Sequence, residues 1–97
     1  MASNFRVFTH RNGENVHIKL SGGFDGASAN ELLYILGRYT GNTEKIFIHT
    51  DGLSYVHSFG RDVFQSKCRL QKDLIPHLVF TGQAGSEMVL LGSRYIP

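Results

Sequence analysis

The sequence predicts one α/β domain whose mixed β-sheet begins with an antiparallel hairpin and continues with parallel strands. Two observations predict this class. Asn12-Gly13 is a strong hairpin-turn signal, and apolar and polar residues alternate on both sides of it. After the hairpin, short apolar strands alternate with segments of helical spacing, which favours parallel strands joined by right-handed crossovers. The predicted order is β-β-α-β-α-β-α with a brief final strand, and residues 1–97 are expected to form a single domain.

The hairpin is predicted independently by its turn residues and by the alternation of apolar and polar residues on both sides of the turn. A type I′ turn centred on Asn12-Gly13 predicts a cross-strand register that collects the apolar side chains on one face. The predicted pairs are Arg11 with Glu14, Thr9 with Val16, Val7 with Ile18, and Phe5 with Leu20. The other face is expected to be solvated and to carry Arg6, Phe8, His10, His17 and Lys19. This register sets Lys19 opposite Arg6 and leaves His10 and His17 diagonal to each other.

A loop is predicted over residues 22–27, followed by the first helix. Ser28 and Glu31 fit a capping box, in which the serine caps the helix and the glutamate reaches back to it. Apolar residues recur at helical spacing, namely Ala29, Leu32, Leu33 and Leu36. Gly41-Asn42 is expected to end this helix.

The second half of the chain alternates two strands with two helices. Apolar runs predict strands, Gly and Pro mark their ends, and a helical stripe lies between them. The predicted segments are a strand over 45–50 closed by Asp51-Gly52, a loop over 53–58, a helix over 59–73 stopped by Pro76, a strand over 77–81, a short helix over 84–91 and an edge strand at Tyr95-Ile96.

Composition excludes several classes of protein. Ten Lys and Arg residues against eight Asp and Glu residues give a net charge of +2, which is too small to argue for nucleic-acid binding. No apolar run is long enough for a membrane span, and the first eleven residues do not form a secretory signal. The single cysteine, Cys68, excludes an internal disulfide and a cysteine-based zinc cluster. We therefore expect a cytoplasmic protein without direct membrane insertion.

Catalytic and metal-binding motifs are not convincing in this chain. The five histidines lack metal-ligand spacing and are predicted to be surface residues. Residues 56–60 do not match the Gly-x-Ser-x-Gly elbow of a hydrolase, and Cys68 is expected to be a core residue. The glycines at 22, 23 and 26 lack the Lys-Ser/Thr of a phosphate loop, and Asp25 would repel phosphate. The sequence thus predicts no enzyme, no cofactor and no metal.

Ser58 is the most informative single residue. It stands at the predicted start of the second helix, where a serine hydroxyl commonly caps a backbone N–H. A phosphate added there would instead meet the positive end of the helix and place about −2 charge on an exposed loop. Physical chemistry alone favours the cap.

Three segments of the chain resemble STAS domains, which are shared by sulfate transporters and bacterial anti-sigma factor antagonists. Residues 16–33, with Ser21-Gly22-Gly23-Phe24-Asp25 at their centre, are similar to the second strand and first helix of that family. Residues 46–60 resemble its third strand and phosphorylation loop, and residues 77–82 its fourth strand. The resemblance implies a protein-binding role without catalysis, in which a serine at the start of the second helix is phosphorylated by an anti-sigma factor kinase.

The chain departs from the family pattern at that serine. The family loop reads Asp-Ser-Ser/Thr-Gly, whereas this chain has His57, Ser58, Phe59 and Gly60, so that Phe59 occupies the acceptor position. Ser58 is therefore the candidate phosphosite, and Asp25 matches the family's nearby acidic residue. The residues expected to bind a partner or to regulate binding are Asp25, Ser54, His57, Ser58, Phe59 and Gly60.

Three functions from different classes remain open at this point. The chain is predicted to be an interaction module, either an anti-sigma factor antagonist or a constitutive STAS-like subunit of a transport ATPase, acting as a monomer or weak dimer. An exposed Phe59 favours constitutive docking. A small-ligand or nucleotide binder would instead use the loops at the carboxyl ends of the parallel strands, lined by Asp25, Asp51 and Ser58. An enzyme would need a convergent acid, base and nucleophile, which the spacing does not supply.

Overall fold

The computed structural model describes residues 4–39, 41 and 43–97, and it confirms the predicted order of elements. A short 3-10 helix over Ile75–His77 is the one addition among these residues. The strands are β1 (Arg6–Asn12), β2 (Asn15–Phe24), β3 (Lys45–Val56), β4 (Leu78–Thr81) and β5 (Arg94–Ile96), and the helices are α1 (Gly26–Gly37), α2 (Ser58–Cys68) and α3 (Gly85–Met88).

The five strands form one mixed sheet in the order β1-β2-β3-β4-β5. β1 is antiparallel to β2, and every other neighbouring pair is parallel. One face of the sheet, here called the inner face, forms a single buried cluster with side chains of all three helices. At its centre the Phe64 ring of α2 meets the rings of Phe24 and Phe80 edge to face, at centroid distances of 6.1 and 6.0 Å. Cys68 is fully buried in this cluster, which confirms that it is a core residue, and the burial raises the pKa of its thiol to about 11.

The hairpin register is shifted by two residues from the predicted one. Asn12 pairs with Asn15, so the turn is centred on Gly13 and Glu14 rather than on Asn12 and Gly13. Gly13 has a φ of +66°, and in the described part of the chain only glycines have a positive φ. A type I′ turn would require a positive φ at Asn12, whereas a turn with a positive φ only at its first central residue uses glycine alone.

A shift of two residues preserves the predicted faces but changes the partners across the hairpin. Val16, Ile18 and Leu20 lie on the inner face as predicted. Lys19 lies opposite Phe8 rather than Arg6. His10 lies directly opposite His17, so the predicted diagonal placement is wrong.

The longest departure from the predicted elements is the extension of β2 and β3. Residues 22–24 and 53–56 were expected to be loops, yet they pair in parallel, with Gly22 opposite Leu53 and Gly23 opposite Tyr55. A Cβ on Gly23 would lie 2.3 Å from the Tyr55 ring, so the ring lies across β2 in this position only because residue 23 has no side chain. Gly23 therefore serves strand pairing rather than a turn, whereas Gly22, with a φ of +85°, lies where the pairing register shifts.

The helix boundaries also differ from the predicted ones. α1 begins at Gly26 rather than after Ser28 and ends at Gly37, before the predicted Gly41-Asn42; Asn42 lies outside the described residues. α2 ends at Cys68 instead of residue 73. The backbone N–H groups of residues 70 and 71 donate to carbonyls three residues earlier, rather than four as in an α-helix. The tighter turn buries Leu74 and leaves Leu70 exposed. α3 is shorter than predicted, and Pro76 lies inside the 3-10 helix.

The opposite face of the sheet, here called the outer face, carries a chain of hydrogen-bonded side chains. His17 Nδ1 lies 2.9 Å from His49 Nε2, and His49 Nδ1 lies 2.6 Å from Thr81 Oγ1. Partial burial of His49, together with the nearby His17 and Lys19, lowers the pKa of His49 below its ordinary value, although Asp51 opposes the shift. His49 therefore remains neutral at pH values where an ordinary histidine is charged.

We expect the protein to lose stability as the pH falls below about 6.5, the ordinary pKa of histidine. The pKa of His49 is lower in the folded state than in the unfolded state, so the unfolded chain binds more protons and acid favours unfolding. Urea unfolding at pH 5 and pH 7.5 measures the difference, which should shrink in His49→Gln. An NMR titration of the imidazole protons is the direct check, and a His49 pKa at or above 6.5 would contradict the account.

Candidate protein-interaction surface

The N-termini of α1 and α2 lie side by side where β2 and β3 end. β2 leads into α1 through Asp25, and β3 leads into α2 through His57. The backbone N–H of His57 donates to the Phe24 carbonyl at 2.8 Å, which ties the two connections together. Parallel strands bring their carboxyl ends to the same edge of a sheet, so both helices begin there.

Asp25, which was expected to bind or regulate a partner, caps α1. Its Oδ1 accepts from the backbone N–H of Ser28 at 2.9 Å, so the helix cap is Asp25 and not Ser28 as predicted. Ser28 is 2% exposed, and its hydroxyl lies 3.0 Å from the Gly23 carbonyl and 2.9 Å from Asp25 Oδ1. Aspartate is as good a cap as serine, and its position directly after the strand starts the helix three residues earlier.

His57 is the cap of α2, so the prediction that Ser58 caps this helix is wrong. His57 Nδ1 accepts from the backbone N–H of Phe59 at 3.2 Å. Ser58 is the first helical residue and is exposed. Its hydroxyl therefore stands at the helix N-terminus on the molecular surface, while the capping role belongs to its neighbour.

Gly60 allows the first turn of α2 to pack on Asp25. A Cβ on Gly60 would lie 2.6 Å from the Asp25 carbonyl carbon and 2.7 Å from its oxygen. Because backbone atoms cannot move aside cheaply, no residue but glycine fits here. Gly60 acts through this packing, since it is itself buried.

Phe59 presents an aromatic ring at the same place. The ring lies over Gly26, where a Cβ would come within 2.9 Å of it, and 64% of the residue remains exposed. One side of the ring is thus supported by the start of α1, and the rest faces solvent. The structure brings Asp25, Phe59 and Gly60 together, as expected of residues that share a surface.

Tyr55 belongs to the segment over residues 53–60 that was expected to dock on a partner, although it was not singled out there, and it lies near the carboxyl ends of β2 and β3. Its ring packs against Gly23, and the residue is 51% exposed. The feature of the sequence that could have identified Tyr55 is the Gly22-Gly23 pair, because an aromatic residue often packs over a glycine on the neighbouring strand. That signal points to Tyr55 only when residues 22–24 and 53–56 pair as strands.

Ser54 faces a different part of the same edge. It lines a cleft of about 420 Å³ between the end of β3 and the start of α3, together with Thr50, Asp51, Tyr55, Gln83 and Glu87 among others. None of the described residues that line this cleft is Lys or Arg, and two of them are carboxylates. The cleft is therefore better suited to a polar or cationic group than to a phosphate.

The groups that this surface presents to solvent are the Phe59 and Tyr55 rings and the Ser58 hydroxyl. In the described ranges, no three His, Cys, Asp or Glu side chains are close enough to hold a metal ion. The described helices also include none that is long and apolar enough to cross a membrane. The exposed side chains at the joined helix ends are aromatic and polar, a composition typical of protein interfaces.

Comparison with known proteins identifies the fold. The sequence matches no protein-family model and no curated protein. Solved structures do match, including the anti-sigma factor antagonist SpoIIAA in its unphosphorylated form, with a TM-score of 0.63, 15% identity, and coverage of 96% of this chain and 87% of SpoIIAA.

Two further structures share the fold. A serine-to-glutamate variant of RsbS from Moorella thermoacetica has a TM-score of 0.66 and 22% identity over 94% of this chain and 86% of its own. An anti-sigma factor antagonist from Mycobacterium paratuberculosis has a TM-score of 0.60 and 14% identity over 81% of this chain and 69% of its own. The chain has the STAS fold that the resemblance implied, with a mixed five-stranded sheet and helices on its inner face.

Proposed function

We propose that this chain is a non-catalytic STAS-type interaction module that binds a protein partner through the joined N-termini of α1 and α2. Within that class we propose a role like that of an anti-sigma factor antagonist in a bacterial partner-switching pathway, with residues 1–97 acting as one domain in the cytoplasm. The exposed Phe59 ring held over Gly26 supports binding by this surface in either role, and the exposed Ser58 hydroxyl next to it favours the switched role over the constitutive one.

Phe59 is the apolar anchor of this surface. It is 64% exposed, and its ring is held in place from below by Gly26, so that binding orders it little further. Tyr55 adds a second exposed ring on the same edge of the sheet. A few residues carry most of the binding energy at protein interfaces, and truncating such a central anchor costs about 2 kcal/mol or more.

Ser58 is the regulatory position in this proposal. It lies at the first helical position of α2, directly before the aromatic anchor. A phosphate there would be favoured by the helix N-terminus, so modification need not unfold α2. The same phosphate would place about −2 charge beside Phe59, where a partner's apolar pocket would have to desolvate it. Phosphorylation of Ser58 is therefore expected to release the partner.

Two alternatives differ from this role in specific ways. A constitutive subunit of a transport ATPase would use the same aromatic anchor but would not depend on the state of Ser58. A small-molecule binder would use the cleft near Ser54, whose two carboxylates and lack of basic lining residues argue against nucleotides in particular. The two interaction roles are separated by the following experiment.

Affinity capture from the native host with wild-type, Ser58→Asp and Phe59→Ala baits tests the proposal. We expect the wild type to recover an anti-sigma factor kinase and both variants to recover at least about tenfold less, which corresponds to 1.4 kcal/mol. Tyr34→Ala is the matched control, because Tyr34 is an exposed aromatic residue on α1 (69%) outside the helix N-termini.

The outcomes separate the interaction roles. Recovery of a transport ATPase equally by the wild type and Ser58→Asp would replace the switching role with a constitutive one. Equal recovery of every partner by Phe59→Ala and the wild type would show that the anchor is placed wrongly.

A further inference from the structure

The outer face of the sheet is cationic. Alternate residues of each strand point to this face, and they include Arg6, Lys19, Lys45 and Arg94. The acidic residue beside them is Asp51, which lines a groove with Lys19 and His49. Four of the chain's ten Lys and Arg residues thus lie here, although the chain as a whole has a net charge of only +2.

This face is also partly apolar. Phe8 and Ile96 lie at the two ends of one cross-strand row and are 60% and 51% exposed. Val79 is 3% exposed yet does not belong to the inner-face cluster, so it is covered by its neighbours on the outer face. Parallel strands usually have both faces covered by helices, whereas every described helix here packs on the inner face.

The aromatic side chains of this face stand upright. The rings of His17 and Phe47, which are partners across β2 and β3, are parallel within 7° with centroids 4.7 Å apart. That separation equals the spacing of neighbouring strands, so the rings stack on each other and turn their edges outward. A nucleic-acid base needs an open ring face for stacking, and these two rings are already stacked.

We propose that the outer face binds an acidic amphipathic helix of a protein partner. The cations of the face would contact the acidic residues of that helix, and Phe8 and Ile96 would contact its apolar side. The row from Phe8 to Ile96 spans four strand spacings of about 4.8 Å, a distance of about 19 Å that a helix of about 13 residues covers when it lies across the strands. A second copy of this chain would bring two cationic faces together and is disfavoured. The groove of about 420 Å³ beside Phe8, Lys19 and His49 is large enough to hold one side chain of that helix.

The probe for this site is a synthetic 18-residue peptide with blocked ends, leucine at helical spacing and glutamate elsewhere. We expect saturable binding, with NMR shift changes on outer-face residues and weaker binding at high salt. The double variant Lys19→Glu/Arg94→Glu should weaken binding at least tenfold. Arg69→Glu/Lys72→Glu makes the same change in net charge at exposed positions after α2 and should change affinity less than twofold.

Further probes decide the chemistry of the occupant. The proposal expects no binding of the corresponding lysine peptide, and it expects a decauridylate and phosphatidylglycerol vesicles to bind more weakly than the acidic peptide. Phe59→Ala should bind the peptide as the wild type does, because the α1–α2 surface is separate. No binding of the acidic peptide, equal weakening by both double variants, or tighter binding of RNA or vesicles would overturn the proposal.

Discussion

Gly60→Ala is expected to lower the free energy of unfolding by about 3 kcal/mol or more. The new Cβ would lie 2.6 Å from the carbonyl carbon of Asp25 and 2.8 Å from its Cα, so α2 would have to move away from the start of α1. Overpacking against backbone belongs to the strongly destabilising class of substitutions. The same movement would separate Phe59 from Gly26, so partner binding is expected to fall along with stability.

Urea unfolding of Gly60→Ala beside Gly37→Ala measures this effect. Gly37 is also a helical glycine, but a Cβ added to it would have nothing within 4 Å. Alanine should therefore stabilise the protein there by up to about 1 kcal/mol through its helix propensity. If the two alanine variants had the same stability, close packing of α2 on Asp25 would be refuted.

Phe64→Ala is expected to cost about 3–5 kcal/mol of stability. Phe64 is 0% exposed and lies between Phe24 of β2 and Phe80 of β4. Its removal leaves a cavity under α2 and abolishes two edge-to-face contacts, which adds to the loss of buried apolar area. Since domains have only about 5–15 kcal/mol in total, a large fraction of the variant could be unfolded at 37 °C.

The control for Phe64→Ala is the same truncation five residues earlier. Phe59→Ala removes a ring that is 64% exposed, so we expect it to cost less than about 1 kcal/mol. Thermal unfolding distinguishes the two, because each 1 kcal/mol shifts the Tm of a domain this size by roughly 4–8 °C. A drop of similar size in both variants would mean that Phe59 belongs to the core rather than to a docking surface.

The order of elements was predictable because it depends on local patterns. The apolar runs around Ile46 and Val79 identify strands, and the stripe from Ala29 to Leu36 identifies a helix without reference to any other segment. The inner face of the hairpin was also predictable, since a shift of two residues does not change which side chains share a face.

The candidate surface was predictable in part. Asp25, Phe59 and Gly60 were expected together and do lie together. The caps were not, because Asp25 and His57 take the capping positions and start the helices ahead of Ser28 and Ser58. Which group wins depends on where the preceding strand ends, and a capping motif does not contain that information.

Local patterns in the sequence are enough to predict the fold class, the alternation of strands and helices, and the segment that holds the exposed Phe59 ring. Tertiary packing sets how far β2 and β3 run, since Gly23 pairs with Tyr55 only when the two strands are already side by side. It also decided that Gly60 meets Asp25 and that the cations of four strands share one face. Such contacts join residues distant in the chain, and their distances depend on sheet register and helix packing, which local propensity does not specify.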